Sequence, residues 1–227
     1  MGKLAALMLL LAPLQAQIAT GVIPLDVVLL VEDSALATNA VKTVRIDTLH
    51  SGDRVALMTF SDSSAIRSGF VEDVRSLDRS IQHLKSRRRP RLSRLWDAVA
   101  DAAGIFPGPA DPARKRVILL LYSQRNQSKR ETPESVRRLL IRGDIALSSL
   151  SLMSAVKLRH LPAYPPPSFP PRRALTTPQD HTQEGVEQIV AATAGVNLKP
   201  TDAEMMFAIV RPPSATTDRR PQPERVQ

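Results

Sequence analysis

Residues 25–31 read Leu-Asp-Val-Val-Leu-Leu-Val and run straight into Glu32, Asp33 and Ser34. A run apolar on both faces belongs inside a sheet covered by helices, and polar groups at its carboxyl end lie where α/β folds build their sites. Leu36, Ala40, Val41, Val44 and Thr48 then recur near helical spacing until Ser51-Gly52-Asp53 stops the helix, and a second strand follows over residues 54–60. Val74, Leu77, Ile81 and Leu84 mark an amphipathic helix. Leu92, Leu95, Trp96, Val99 and Ala103 mark another, closed by Pro107-Gly108-Pro109. Residues 117–121 are a second fully apolar run. Thr132-Pro133 then offers a hydroxyl cap with proline at the first helical position, Val136, Leu139 and Leu140 form the inner face, and Gly143 supplies the stop. Residues 144–152 read as a strand, and residues 180–194 as a helix carrying Val186, Ile189 and Val190, with Gly195 behind it. Thr201 to Glu204 spells a capping box that opens a short last helix ending at Val210. Strand and helix alternate, which predicts an α/β fold with a doubly wound, mostly parallel sheet flanked by helices.

Two segments interrupt this rhythm. Between residues 161 and 178 the chain reads Pro165-Pro166-Pro167 and Pro170-Pro171-Arg172-Arg173, a composition that favours extended polyproline conformation and a solvated insertion. Residues 211–227 are rich in proline and charge and are expected to be a disordered tail. At the other end, Lys3, the apolar residues 4–14 and Ala16 have the form of a signal peptide over residues 1–17, which competes with a leading core helix. Gly21, Pro24 and Asp26 break any extension toward a membrane span. The expected organisation is thus a signal peptide at 1–17, one domain at 22–210 with an insertion at 161–178, and a tail. Export to the periplasm, the cell surface or the medium follows from it, with no membrane span in the mature form.

Composition narrows the chemistry. Thirty-one Lys and Arg against 22 Asp and Glu give a formal charge of +9, yet five Phe, two Tyr and one Trp are too few for a base-stacking platform, so no nucleic-acid partner is expected. The absence of cysteine excludes disulfides and thiolate chemistry, and the histidines at 50, 83, 160 and 181 are too scattered for a paired metal motif. No G-x-S-x-G, H-E-x-x-H or phosphate-cradling glycine loop occurs. No histidine has a place beside Ser34, Ser93 and Ser123, so catalysis is not expected.

Three strand-end segments carry the remaining signal: Glu32-Asp33-Ser34-Ala35-Leu36, Ser93-Arg94-Leu95-Trp96-Asp97-Ala98, and Leu121-Tyr122-Ser123-Gln124. With the phrase from Ser51 to Phe60, they resemble the von Willebrand factor type A domain family, and within it the exported bacterial branch often found in acidobacterial proteins. The resemblance runs from about Pro24 to Leu152, with a weaker continuation over residues 189–195. It implies a Rossmann-like sheet and a metal-ion-dependent adhesion site at its carboxyl edge. In that family the first loop is D-x-S-x-S, the second supplies a threonine, and the third an aspartate, and these oxygens hold a magnesium-type cation with a ligand carboxylate completing the shell.

Carried over position by position, Glu32 stands at the first acid, Ser34 at the first serine and Ser93 at the threonine. Leu36 takes the second serine and Ser123 the aspartate. Leu36 offers no oxygen, Ser123 offers no charge, and Glu32 carries its carboxylate one methylene further out, which small octahedral Mg2+ tolerates poorly. Weak or absent binding of Mg2+ or Mn2+ is therefore expected, through Glu32, Ser34 and Ser93 if at all, in a degenerate adhesion site. The stretch from Glu32 to Gly52 is also short for this family, by about one or two helical turns. Beside it lies the basic run Lys85-Ser86-Arg87-Arg88-Arg89-Pro90-Arg91. As a loop, its Arg87, Arg88, Arg89 and Arg91 could meet an acidic protein partner directly.

The acidic pair after the first strand is also similar to the opening of a receiver domain of bacterial response regulators. That reading needs a phosphate-accepting aspartate at a later strand end, where Thr59-Phe60, Tyr122-Ser123 and Leu152-Met153 stand instead. Arg142-Gly143-Asp144 spells an integrin-recognition tripeptide, but it is expected to join a helix to a buried strand rather than to form a displayed loop. The function implied is a non-enzymatic binding or scaffolding module.

Overall fold

A computed structural model describes residues 23–86, 93–153 and 181–211. Six strands form one sheet in the order β3-β2-β1-β4-β5-β6. They are β1 (Leu25–Glu32), β2 (Arg54–Phe60), β3 (Ser64–Val71), β4 (Lys115–Tyr122), β5 (Ile145–Ser151) and β6 (Asn197–Leu198). The helices are α1 (Ala35–Lys42), α2 (Val74–Gln82), α3 (Leu95–Gly104), α4 (Pro133–Arg142), α5 (Thr182–Ala192) and α6 (Met206–Ile209), with 3-10 turns at Ile46–Thr48 and Pro200–Met205. Every strand pair is parallel except β2 with β3.

β1 is central, and all eight of its residues are buried. Side chains alternate across a strand, so its positions divide between two cores. Leu25, Val27, Leu29 and Val31 pack with Ala37 and Val41 of α1, Leu77 and Ile81 of α2, and Met206 and Phe207 of α6. Val28 and Leu30 pack on the other face with Leu95 and Val99 of α3, Val136 and Leu140 of α4, and Val186 and Ile189 of α5. At about 1.5–3 kcal/mol for each aliphatic side chain so buried, this two-sided packing is what holds the sheet between its helices. Residues Pro24–Val210 form one compact unit; a second unit comprises Met1–Ile23 and Arg211–Gln227, of which only Ile23 and Arg211 are described.

Asp26 fastens the amino edge of the sheet. Its buried carboxylate accepts from Arg54 Nε and Nη2 at 2.9 and 2.6 Å and from Arg114 Nε at 2.8 Å. Burial pushes the Asp26 carboxyl up, but the hydrogen bonds and charges of Arg54 and Arg114 outweigh it and hold the group below its ordinary value.

Several expectations are corrected. α1 stops at Lys42 rather than running to Thr48: Thr43 Oγ1 donates to the Ala40 carbonyl at 2.8 Å, and the chain turns so that Val44 enters the core from the connection and Ile46 from the 3-10 turn that follows. β3 and β6 were not foreseen, and β3 makes the sheet mixed. β5 starts at Ile145, and the reversal before it is made by Asp144 at φ 50°, while Gly143 stays in the right-handed region. The last capping box is closed by Asp202, which accepts from the Lys199 N–H at 2.8 Å, so it opens two residues before Thr201. The proposed signal segment, the polyproline insertion and the tail lie outside the described residues.

Candidate functional site

The carboxyl ends of β1 and β4 meet at three of the residues singled out in the sequence. β1 ends on Glu32, and its Oε2 accepts from the Ser123 N–H at 2.8 Å and from the Ser123 hydroxyl. Ser34 is the N-cap of α1, extended at φ −120° and ψ 154°, and its Oγ accepts from the Ala37 N–H at 3.2 Å. Ser34 Oγ also lies 2.9 Å from Ser123 Oγ. Because the Ser123 hydroxyl donates to Glu32, Ser34 donates to Ser123, and the polar chain runs from the α1 backbone through two hydroxyls to one carboxylate. The parallel pairing of β1 with β4 sets this up, since it brings Val31 opposite Leu121 just before both strands end.

Ser93 reaches the same edge by its backbone. It bridges Asn126, its carbonyl accepts from Gln127 N–H at 2.7 Å, and the next residue, Arg94, donates its N–H to the Ser61 carbonyl at 2.8 Å. Its hydroxyl is buried without a partner, as is Glu32 Oε1. Leu36, in the first turn of α1, is partly buried and packs against the core on that face of the sheet. Glu32 is 0% exposed, Ser93 1%, Ser34 5% and Ser123 6%. Their side chains therefore sit beneath the surface rather than on it. The arginines at 87, 88, 89 and 91 lie outside the described residues.

The loop after β4 does a second job that the sequence reading missed. Helix α3 begins after Arg94, which provides no side-chain cap. Its free N–H groups are satisfied from 30 or so residues away: Asn126 Oδ1 accepts from Leu95 at 3.0 Å, and Ser128 Oγ accepts from Trp96 at 2.8 Å. In return, the Asp97 carboxylate accepts from the Glu131 N–H at 2.8 Å and the Arg130 N–H at 3.2 Å. The Asn126 N–H donates to Thr182 Oγ1 at 2.9 Å, joining the loop to the start of α5. The only signal for this in the sequence is negative, namely a helix start with no Ser, Thr, Asp or Asn at the cap position.

Chemically, the edge offers the Glu32 carboxylate in contact with the Ser123 hydroxyl, the Ser34 hydroxyl behind it, and the Ser93 hydroxyl buried without a partner. The strand ends carry no aspartate in the place a receiver domain would need it. Among the described residues, no group of three or more His, Cys, Asp or Glu stands together as a metal-binding set, and no helix is long and apolar enough to cross a membrane.

No protein-family model and no curated protein matches the sequence itself. Solved structures do resemble it. An aerotolerance-related membrane protein from Bacteroides fragilis superposes with a TM-score of 0.56 at 11% identity, over 82% of this chain and 96% of that one. Proximal thread matrix protein 1 from the mussel byssus, with a zinc-occupied metal-ion-dependent adhesion site, gives 0.57 at 12% identity over 83% and 47%. A von Willebrand factor type A protein from Catenulispora acidiphila gives 0.54 at 16% identity over 81% and 41%. The chain spans less than half the length of the last two. At such identities the likeness speaks for architecture alone, and with the sheet order and strand ends above it leads to one statement: the described part of this chain has the Rossmann-like fold of von Willebrand factor type A domains.

Proposed function

We propose that the protein is an exported, non-catalytic interaction module that docks a protein partner at the carboxyl edge of its sheet without depending on a divalent cation. The observation that carries this reading is the closed hydrogen-bond chain of Ser34, Ser123 and Glu32. In a metal-dependent adhesion site these positions would turn their oxygens to the ion; here Glu32 Oε2 is taken by Ser123, and Ser34 Oγ is taken by α1 and Ser123. Two oxygens remain, Glu32 Oε1 and Ser93 Oγ. With Glu32 the one carboxylate among the five positions carried over, and with those side chains almost closed to water, the set does not fit a hard cation that wants six oxygens in near-octahedral array. The cluster instead ties β1, α1 and β4 into one rigid rim. Partner contacts then fall to the loop after β4, with exposed Arg125 and Gln127; the arginines at 87, 88, 89 and 91, read from the sequence alone, would favour an acidic partner. Residues 1–17 act as the signal peptide, residues 22–210 as the domain and residues 211–227 as the tail.

The test is titration of the purified chain with MgCl2 and with MnCl2, followed by calorimetry and thermal unfolding. Binding to the native state must raise its stability. Neither heat nor a shift in Tm at millimolar metal is expected, and tight, stabilising binding would restore a metal-dependent reading. Mass spectrometry of the mature N-terminus checks export: a chain still beginning at Met1 would overturn it. Charge reversal at Arg87, Arg88 and Arg89 is expected to weaken capture of an acidic partner, and unchanged affinity would remove the loop from the interface.

A further inference from the structure

Away from the buried cluster, a cleft of about 620 Å3 opens between β3 and α2 beside the end of β2. Its lining includes Arg67, Arg79, His83 and Lys85 and the hydroxyls of Thr59, Ser76 and Ser80, with no carboxylate among the described residues. Arg67 reaches it from β3. Its Nε donates to Thr59 Oγ1 at 2.9 Å, which fixes the guanidinium plane while leaving the two terminal nitrogens for a ligand. Arg79 reaches it from α2, and its bonds go to neutral acceptors: Ser76 Oγ at 3.1 Å and the Arg75 carbonyl at 3.4 Å.

The acid in the field of Arg79 is Asp73, and it is already committed. Asp73 accepts from the Ser76 hydroxyl and from the N–H groups of Ser76 and Arg75, and these bonds together with Arg79 hold it below its ordinary carboxyl range. Two of the carbonyls at the end of α2, which would repel an anion, are covered as well. Those of Arg79 and Ile81 accept from the N–H groups of His83 and Leu84, and His83 Nδ1 donates a further bond to the Arg79 carbonyl at 2.6 Å.

We propose that this cleft is a binding site for a phosphomonoester. A carboxylate has two oxygens and is satisfied by one guanidinium; here guanidinium groups enter from opposite walls with an ammonium beside them, which suits a dianion with three terminal oxygens. The volume holds a small organic group as well as the phosphate. Among the described residues the lining has no Phe, Tyr or Trp, and His83 is the one ring it offers to a base. This site stands apart from the edge cluster and does not depend on how that cluster works.

The experiment is calorimetric titration of the full chain at constant ionic strength with inorganic phosphate, glucose 6-phosphate and glucose. It is repeated with Arg67→Gln, Arg79→Gln and, on α4, Arg138→Gln. Saturable binding of phosphate is expected, and whether the sugar ester binds more tightly or less tightly than the free ion tells which is the source of the phosphate group. Each cleft variant is expected to weaken binding about tenfold with Tm unchanged, because its arginine is exposed and supplies a charge-assisted bond to the ligand. Arg138→Gln is expected to leave it intact. No saturable binding, equal binding of glucose, or an equal loss in Arg138→Gln would overturn the assignment, the last by showing only general attraction to a basic chain.

Discussion

Glu32 and Ser123 stand 91 positions apart, and both the backbone N–H and the hydroxyl of Ser123 donate to the same carboxylate oxygen of Glu32. The contact joins the ends of the two central strands where the sheet would otherwise open.

Replacing Ser123 by alanine removes one donor from a wholly buried carboxylate and leaves the Ser34 hydroxyl without its acceptor. Ser123→Ala is expected to cost about 1–3 kcal/mol, the penalty for an unmet buried polar group. A urea midpoint that falls at unchanged slope would show it. A midpoint equal to that of the parent would mean that Glu32 does not need the bond.

The double variant Leu36→Ser with Ser123→Asp restores an oxygen and a charge at the two positions that depart from the adhesion-site pattern. Without metal it is expected to unfold at a lower temperature than the parent, since two carboxylates then face each other and a core contact is lost. With MgCl2 its Tm should recover, by about 2.7 kcal/mol of stability at a hundredfold excess over Kd, while the parent stays put. Equal shifts in both chains would refute this account of the site.

Asp26 makes the native state sensitive to acid. Its folded-state value lies below the ordinary 3.8, so its contribution is present above that pH and is lost as pH falls through the depressed folded value. Asp26→Asn is expected to cost about 2–4 kcal/mol at neutral pH, less than for a fully enclosed pair because Arg54 and Arg114 are 31% and 18% exposed. Denaturation curves from pH 7 down to pH 2 should show the gap between parent and variant closing toward acid. A gap independent of pH would assign the loss to packing.

Asn126→Ala and Ser128→Ala each uncap α3 from a distant loop. Each is expected to lower stability by about 1–2 kcal/mol, the usual range for an N-cap. The double variant should lose less than the sum, because Ser128 Oγ itself donates to Asn126 Oδ1 at 2.6 Å. Strict additivity, measured by chemical denaturation, would show that the two caps act separately.

Gly195 admits no side chain. A methyl group there would stand 1.7 Å from the Leu147 carbonyl oxygen, and that backbone cannot yield without moving β5. Gly195→Ala is expected to cost about 3 kcal/mol or more, as overpacking against backbone does, with a matching fall in Tm.

The buried strands were readable because burial on both faces writes itself as an unbroken apolar run, as in β1 and β4, and α4 was readable because Thr132 and Pro133 are local signals. β3 was not. Its sequence Ser-Ala-Ile-Arg-Ser-Gly-Phe-Val is that of an edge strand, half exposed and bulged in register, so no period survives in it. The end of α1 was misplaced because Val44 and Ile46 are core residues held by a turn, and apolar spacing alone cannot tell the two apart. At the candidate site, the grouping of Glu32, Ser34 and Ser123 was implied by the family resemblance of the three strand-end segments. The capping of α3 by Asn126 and Ser128 was not, since nothing local links a loop to a helix start some 30 residues earlier.

The position of β1 between β2 and β4 has a consequence for the birth of the chain. Synthesis delivers β1, β2 and β3 first, and these can pair, but the other edge of β1 waits until Tyr122 has emerged. Over that interval an eight-residue apolar strand keeps one row of backbone donors and acceptors open, the condition under which nascent chains find each other instead of themselves. A holding factor that masks residues 25–32 until β4 arrives would have its largest effect on this protein during translation, and none once the sheet has closed.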